Sequence, residues 1–265
     1  MHIDTELLRS PYEHEALRPV TDDAGNNYLQ AVESGKRFPI ENGITNLLIQ
    51  GKLEGYNRKY QRFYNLISPL YDSTLSLAAK LIKNSVDKVR MQYMDKLEFH
   101  PGGRFLEVSI GTAANIKYLP EDQRCYGIDI SRGMLKRARA NLSYWQRNVE
   151  LFLADAEELP FKDHLFDTVL HVGGINAFNN RARAIQEMIR VARPASKIVI
   201  VDETAELIRR LSWIPGAKRL LKKYAERFNP PVDLLPAGVT EIETSELLGG
   251  GLYCLCFRTP AFVKE

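Results

Sequence analysis

The chain has 265 residues, 45% of them hydrophobic and 26% charged, with a formal net charge of +3. That is room for one large core with an appendage, and too even a charge balance to mark a nucleic-acid-binding face. No 18-residue apolar run is present and the opening MHIDTELLRS has no apolar leader core, so the sequence reads as a cytoplasmic protein without a membrane span.

Residues 1–50 read as a small β-rich domain, from LLRSPYEHEALRPV to YLQAVESGKRFPIENGITNLL. This stretch resembles the zinc-ribbon-like activator subunit of some tRNA and protein methyltransferases, with FPIENGI the distinctive turn. The resemblance puts one Cys-x-x-Cys pair on Ser10 and Glu13 and the other on Ala31 and Ser34. No thiolate remains, so no metal is expected. The alternative is an unrelated β-rich extension.

From Gly55 to about Leu97 the pattern turns helical. Tyr56, Tyr60, Phe63 and Tyr64 recur at helix spacing, then Leu75, Leu77, Leu81 and Ile82 continue an apolar face. Tyr60, Phe63 and Tyr64 fit an aromatic core stripe, and Tyr71 has the better claim to a pocket.

The stretch RFLEVSIGTAANIKYL, Arg104 to Leu119, organises the rest. The run Phe105, Leu106, Val108 reads as a buried strand carrying Glu107. The small residues Ser109, Gly111, Thr112, Ala113 and Ala114 then lead to a short helix at Asn115–Tyr118. Small side chains let a ligand approach the backbone, and a helix start offers N–H groups. A dinucleotide turn wants glycine where Ser109 and Ala114 stand, so nicotinamide binding is a poor match.

A second strand, Cys125 to Ile130, carries Asp129, 22 residues after Glu107, the spacing of a ribose-binding carboxylate. Ser131 can cap a helix through Met134, Leu135 and Ala138. Strands come next at Val149–Asp155 and Phe166–Gly174, then a helix at Arg181–Val191 and a fifth strand at Lys197–Asp202. Thr204–Phe228 reads as helical, broken at Pro215-Gly216, with Leu220, Leu221, Tyr224 and Phe228 on one face and Lys218, Arg219, Lys222, Lys223 and Arg227 on the other. Two last strands, near Val239–Thr244 and Leu252–Arg258, flank Gly249-Gly250-Gly251. Cys125, Cys254 and Cys256 are too few and badly spaced for a disulfide framework or a zinc site, and read as buried thiols.

The motif order over about Tyr56–Pro260 resembles class I S-adenosylmethionine (SAM) methyltransferases, nearest the branch with the ubiquinone/menaquinone C-methyltransferases. The resemblance implies an α/β fold. It has a seven-stranded Rossmann-like sheet of order 3-2-1-4-5-7-6 with helices on both faces, over residues 51–265. Residues 51–97 form a helical cap and 204–236 a lid insertion.

It also implies SAM as cofactor and roles for particular residues. Asp129 holds the ribose hydroxyls, and Gly111 with Ser109, Thr112 and Ala113 cradles the amino-acid end. Glu107 faces the ammonium. Asp155 and Ala156 read the adenine edge, with Ile130 and Met134 on its faces. His171 and Gly173 line the pocket near the methyl group. His171 and Tyr71 are the catalytic candidates, His171 as a proton acceptor or a plain wall residue.

Methyl transfer from a sulfonium is an in-line displacement, so positioning and water exclusion suffice without a catalytic triad. The segment His171-Val172-Gly173-Gly174 lacks the Asn/Asp-Pro-Pro-aromatic motif of nucleobase amino methylation, and no cysteine is placed for pyrimidine chemistry. The segments flanking the sheet offer apolar, aromatic-rich faces, Tyr56, Tyr60, Tyr64 and Tyr71 on one and Leu211, Trp213, Leu220, Leu221, Tyr224 and Phe228 on the other, so the expected acceptor is a small, largely apolar molecule. The basic face of 218–227 would suit an anionic membrane or plain solvation. An RNA or protein methyltransferase with residues 1–50 as docking module, and a SAM-binding protein without turnover, remain the alternatives. The sequence leaves the acceptor atom and the oligomeric state open.

Overall fold

A computed structural model describes residues 3–11, 13–49, 51, 53–68, 86–210 and 225–261. Tyr71 and residues 211–224 of the expected lid, Trp213 among them, lie outside these. The strands are β1 (Leu17–Thr21), β2 (Asn27–Ala31), β3 (Arg37–Glu41), β4 (Ile44–Asn46), β5 (Arg104–Val108), β6 (Arg124–Asp129), β7 (Val149–Leu153), β8 (Phe166–Val172), β9 (Ala192–Glu203), β10 (Thr240–Leu247) and β11 (Leu252–Arg258). The helices are α1 (Gly55–Ile67), α2 (Val86–Met94), α3 (Arg132–Tyr144), α4 (Arg181–Val191) and α5 (Ala205–Arg210).

These strands form one mixed sheet in the order β1-β2-β3-β4-β7-β6-β5-β8-β9-β11-β10. Eleven strands replace the expected seven. The seven from β5 onward are neighbours in it, and β4 extends their edge by pairing in parallel with β7, Ile44 opposite Leu151. The N-terminal strands thus share a sheet with the rest. Leu7, Leu8, Leu17, Leu29 and Phe38 also share a core with Phe152, Phe161 and Phe166.

Helices on both faces bury β5 to β9, which explains their continuous apolar runs. One face is centred on edge-on rings of Tyr126, Phe152, Phe161 and Phe166, 5.0–6.4 Å apart. The other packs Phe105, Ile116, Leu135, Leu142 and Val199. The edge strand β10, TEIETSEL, is exposed along nearly its whole length, and its acids discourage a further strand from pairing there.

Helix α1 differs in kind. Asn57 is its one buried residue, and it docks through amides. Asn65 Oδ1 accepts from Ser131 Oγ (2.7 Å) and the Gly133 N–H (2.8 Å), and Gln61 Nε2 donates to the Ile130 carbonyl (3.0 Å). Phe63 is 53% exposed, so the tyrosines and phenylalanine of α1 are not a core stripe. At the far end of the lid segment Ala225–Phe228 and Val232–Leu234 each make a 3-10 turn.

In the N-terminal strands Ser10 is buried and its Oγ accepts from the Glu15 N–H (3.2 Å). The Glu15 carboxylate accepts from the N–H groups of Glu33 and Ser34, each at 2.8 Å. Ala31 is buried, while Glu13 and Ser34 are exposed.

Candidate active site

The carboxyl ends of β5 to β9 open into a cavity of about 460 Å³, roofed by α1 and α2. A crevice at the carboxyl ends of parallel strands is where open α/β sheets bind ligands.

After β5 the chain turns through three left-handed residues, Ser109 (φ 60°), Gly111 (φ 56°) and Ala113 (φ 63°). Left-handed backbone costs a residue with a Cβ about 1–2 kcal/mol, so the surroundings must impose it at Ser109 and Ala113. Ile110 imposes part of it: its N–H donates to the Ile128 carbonyl (2.8 Å) and its side chain fills the space over Gly127. Past this turn, where a short helix at Asn115–Tyr118 is expected, the chain makes a single 3-10 turn, Ile116–Tyr118.

Asp129 ends β6 and is buried. Oδ2 accepts from the Gly111 N–H (2.9 Å) and Oδ1 from the Ser131 N–H (2.8 Å). Burial lifts its carboxyl to about 6, and those donors hold it from rising further. Glu107 is 1% exposed. Oε1 accepts from Asn115 Nδ2 (2.5 Å), while buried Oε2 has no hydrogen-bond partner among the described residues. Desolvation pushes this carboxyl to about 8.

Asn115 Oδ1 in turn accepts from Arg90 Nε (2.7 Å) and the Tyr93 hydroxyl (2.8 Å), and Arg90 Nη1 donates to Asp87 (3.0 Å). An acid and an arginine on the cavity wall are thus held in fixed relation by one amide. At the β7 end, Asp155 accepts from the Glu157 N–H (3.0 Å) and faces Asn57 Nδ2 at 3.3–3.4 Å, and burial raises its carboxyl.

The cavity wall brings together Glu107, Ser109, Gly111, Thr112, Asp129, Ile130, Met134, Asp155, Ala156 and Gly173 of the residues expected from sequence. Two expected residues are off the wall. Ala113 is fully buried beneath the turn. His171 is fully buried as well, its Nδ1–H donating to the Val108 carbonyl (3.0 Å) and its ring edge-on to Phe178. Burial lowers its imidazole to about 4, so it is neutral and too weak a base to draw a proton from an acceptor it does not face. It braces the end of β5.

Sequence reasoning missed Asn57, Arg90, Tyr93, Asn115 and Glu203. Only Glu203 carried a signal, an acid at a strand's carboxyl end like Asp129. Among the described residues no helix is long and apolar enough to cross a membrane, and no group of three metal-ligating side chains forms.

A methyltransferase-domain family model matches residues 106–200. A demethylmenaquinone methyltransferase of Desulfitobacterium hafniense is 32% identical over 185 residues, 67% of this chain and 69% of that protein. A ubiquinone/menaquinone biosynthesis C-methyltransferase of Geotalea daltonii is 26% identical over 158 residues, 57% of this chain and 66% of that protein. The match therefore spans about two thirds of each relative's length. The [4+2]-cyclase SpnF superposes with a TM-score of 0.57 at 15% identity, over 78% of this chain and 97% of that one, and shows the fold alone. The chain belongs to the class I SAM-dependent methyltransferases, and SAM is its cofactor.

Proposed function

We propose that this cavity transfers a methyl group from SAM to a small, largely apolar acceptor of the quinol type. The observation that carries the donor half is the unpartnered, buried Oε2 of Glu107 on the cavity wall. A carboxyl held near 8 by desolvation gains most from a cation, and SAM brings an ammonium. Arg90, fixed to the same Asn115, is the counterpart for the carboxylate of the methionine end. Asp129 accepts from the ribose hydroxyls, Ile130 and Met134 flank the adenine, and Asp155 with the Ala156 N–H reads its edge. Gly111 takes its left-handed φ without a Cβ, and the space a Cβ would fill, with no atom nearer than Ser109 O at 4.0 Å, is left for the methionine end.

SAM supplies an activated methyl group on a sulfonium. The chain's part is to hold the donor across β5 to β7, leave the β8–β9 half for the acceptor, and exclude water between them. The acceptor class is supported by the names of the two relatives and by the apolar side chains of Val172, Ala177 and Phe178. Tyr71 and Trp213 keep proposed acceptor-side roles, so Tyr71→Phe and Trp213→Ala should lower turnover more than SAM affinity. A cytoplasmic setting, with the basic 218–227 face toward an anionic membrane, belongs to the same reading.

Residues 1–50 are read as a metal-free relative of the zinc ribbons. Support comes from Glu15, whose carboxylate ties down the 33–34 turn where the resemblance would put a metal. Elemental analysis should find no zinc, and one tightly held zinc per chain would overturn this.

Calorimetry with S-adenosylhomocysteine tests the donor half. Binding in the micromolar range is expected, and no binding, or tighter binding of NAD, would end the proposal. Turnover of reduced demethylmenaquinone with SAM tests the acceptor half.

A further inference from the structure

At the β8–β9 end the cavity wall is Val172, Gly173, Gly174, Ala177 and Phe178, plus one ionisable side chain, Glu203. Glu203 is half-buried at the end of β9, and its neighbour Asp202 lies fully buried. Both Asp202 oxygens are taken by backbone donors: the Asn176 N–H to Oδ2 (2.8 Å) and the Glu203 N–H to Oδ1 (2.9 Å). Asn176 is locked in turn, its Nδ2 donating to the Glu203 carbonyl (2.9 Å) and its Oδ1 accepting from the Tyr253 hydroxyl (3.4 Å). Of the pair, Asp202 is therefore the member held by fixed backbone dipoles.

Glu203 faces that charge in a partly dry site, which holds its carboxyl well above the ordinary carboxylate range. Arg181 acts on the Tyr253 phenol, and among the described residues no cation acts on Glu203. His171 is neutral, and burial raises the Tyr253 phenol. A protonated carboxyl is a donor and an acceptor at once, the complement of a hydroxyl. An ammonium would instead require Glu203 to ionise beside Asp202.

We propose that Glu203, the ionisable side chain of this half of the cavity wall, is the specificity-determining group for the methyl acceptor and hydrogen-bonds a hydroxyl on an uncharged acceptor lying against Phe178. This rests on the reading that the acceptor occupies the β8–β9 half. It goes further by naming the residue that reads the acceptor and the group it reads, a hydroxyl.

The test is equilibrium binding of 1-naphthol, 1-methoxynaphthalene and 1-naphthylmethylammonium to the full chain saturated with S-adenosylhomocysteine. The wild type should bind 1-naphthol about tenfold more tightly than either of the others. E203Q, which keeps a neutral donor and acceptor, should hold that preference to within about threefold, and E203A should erase it. Both variants should bind S-adenosylhomocysteine like the wild type, which also reports that they fold. A hydroxyl preference that survives in E203A, or tightest binding of the ammonium, overturns the role of Glu203 and leaves the apolar-acceptor reading standing. A wild type that binds S-adenosylhomocysteine but none of the three probes overturns both.

Discussion

The two ends of the cavity use the same device, an acid at the carboxyl end of a strand, and arrive at different chemistry. At the β5–β6 end, Asp129 receives two backbone N–H groups and sits at about 6, while Glu107 receives one amide and sits at about 8. At the β9 end, Asp202 takes both backbone donors and Glu203 faces its charge. Burial raises the carboxyls of Glu107 and Asp129, and the Asp202 carboxylate beside it raises that of Glu203. The first end is poised for a cationic, hydroxyl-rich donor molecule, the second for a neutral acceptor.

The largest expected break in that comparison is Asp129→Ala. It removes the acceptor for the ribose hydroxyls and frees the Gly111 N–H. Affinity for S-adenosylhomocysteine should fall about a hundredfold by calorimetry, the equivalent of one or two charge-assisted bonds. Glu203→Gln should leave that affinity unchanged. Equal losses in the two variants would show that the cavity is not divided as described.

The next effect is on pH. Glu107 and Asp129 have carboxyls raised above their ordinary values, so the free native state holds more protons than the unfolded chain. Their contribution to stability is therefore full below about pH 4 and is lost as pH rises through about 6 and then about 8. Ligand binding runs the other way, because the ammonium favours ionised Glu107. S-adenosylhomocysteine should bind more tightly as pH rises from about 6 toward 8, by up to about tenfold per unit, with proton release visible as a buffer-dependent heat. Glu107→Gln should weaken binding and flatten this slope. A flat wild-type profile over the same range rules the assignment out.

Smaller still is Asn57→Ala. Asn57 Nδ2 reaches Glu157 (2.8 Å) and Asp155, and Oδ1 accepts from the Asn179 N–H (3.1 Å), so it pins α1 over the adenine end. Losing these should weaken S-adenosylhomocysteine about fivefold, near 1 kcal/mol. Unchanged affinity would mean that α1 is not part of the donor site.

The strands were legible because β5 to β9 are buried on both faces and read as apolar runs, and the acids at their ends carried the site. The N-terminal attachment was not. β4 is three residues long, and its bond to β7 joins Ile44 to Leu151, a pairing without local signature. The motif position of His171 was visible in the chain, but its direction was not. Neighbouring strand residues point to opposite faces, and Val172 is the one that reaches the cavity. Aromatic periodicity marked a face of α1 without saying what covers it, so Phe63 stands in solvent while Tyr60 and Tyr64 line the cavity. Arg90, Tyr93 and Asn115 belong to no pattern, since their network joins two elements across 22 to 25 residues of chain.

The smallest expected effect sharpens the acceptor end alone. Tyr253 is 2% exposed and its hydroxyl reaches Asn176 Oδ1 at 3.4 Å, a long bond that carries the low end of hydrogen-bond stabilisation. Tyr253→Phe keeps the ring and its packing, so thermal unfolding should register a loss of about 0.5–1 kcal/mol. The backbone donors to Asp202 do not depend on this hydroxyl, and so the Asp202–Glu203 pair keeps its place. Affinity for S-adenosylhomocysteine should match the wild type, and the preference for 1-naphthol over its methyl ether should narrow by no more than about twofold. A loss of cofactor affinity comparable to that of Asn57→Ala would instead couple the two ends through β9 and β11, and the division of the cavity into a donor half and an acceptor half would fail there.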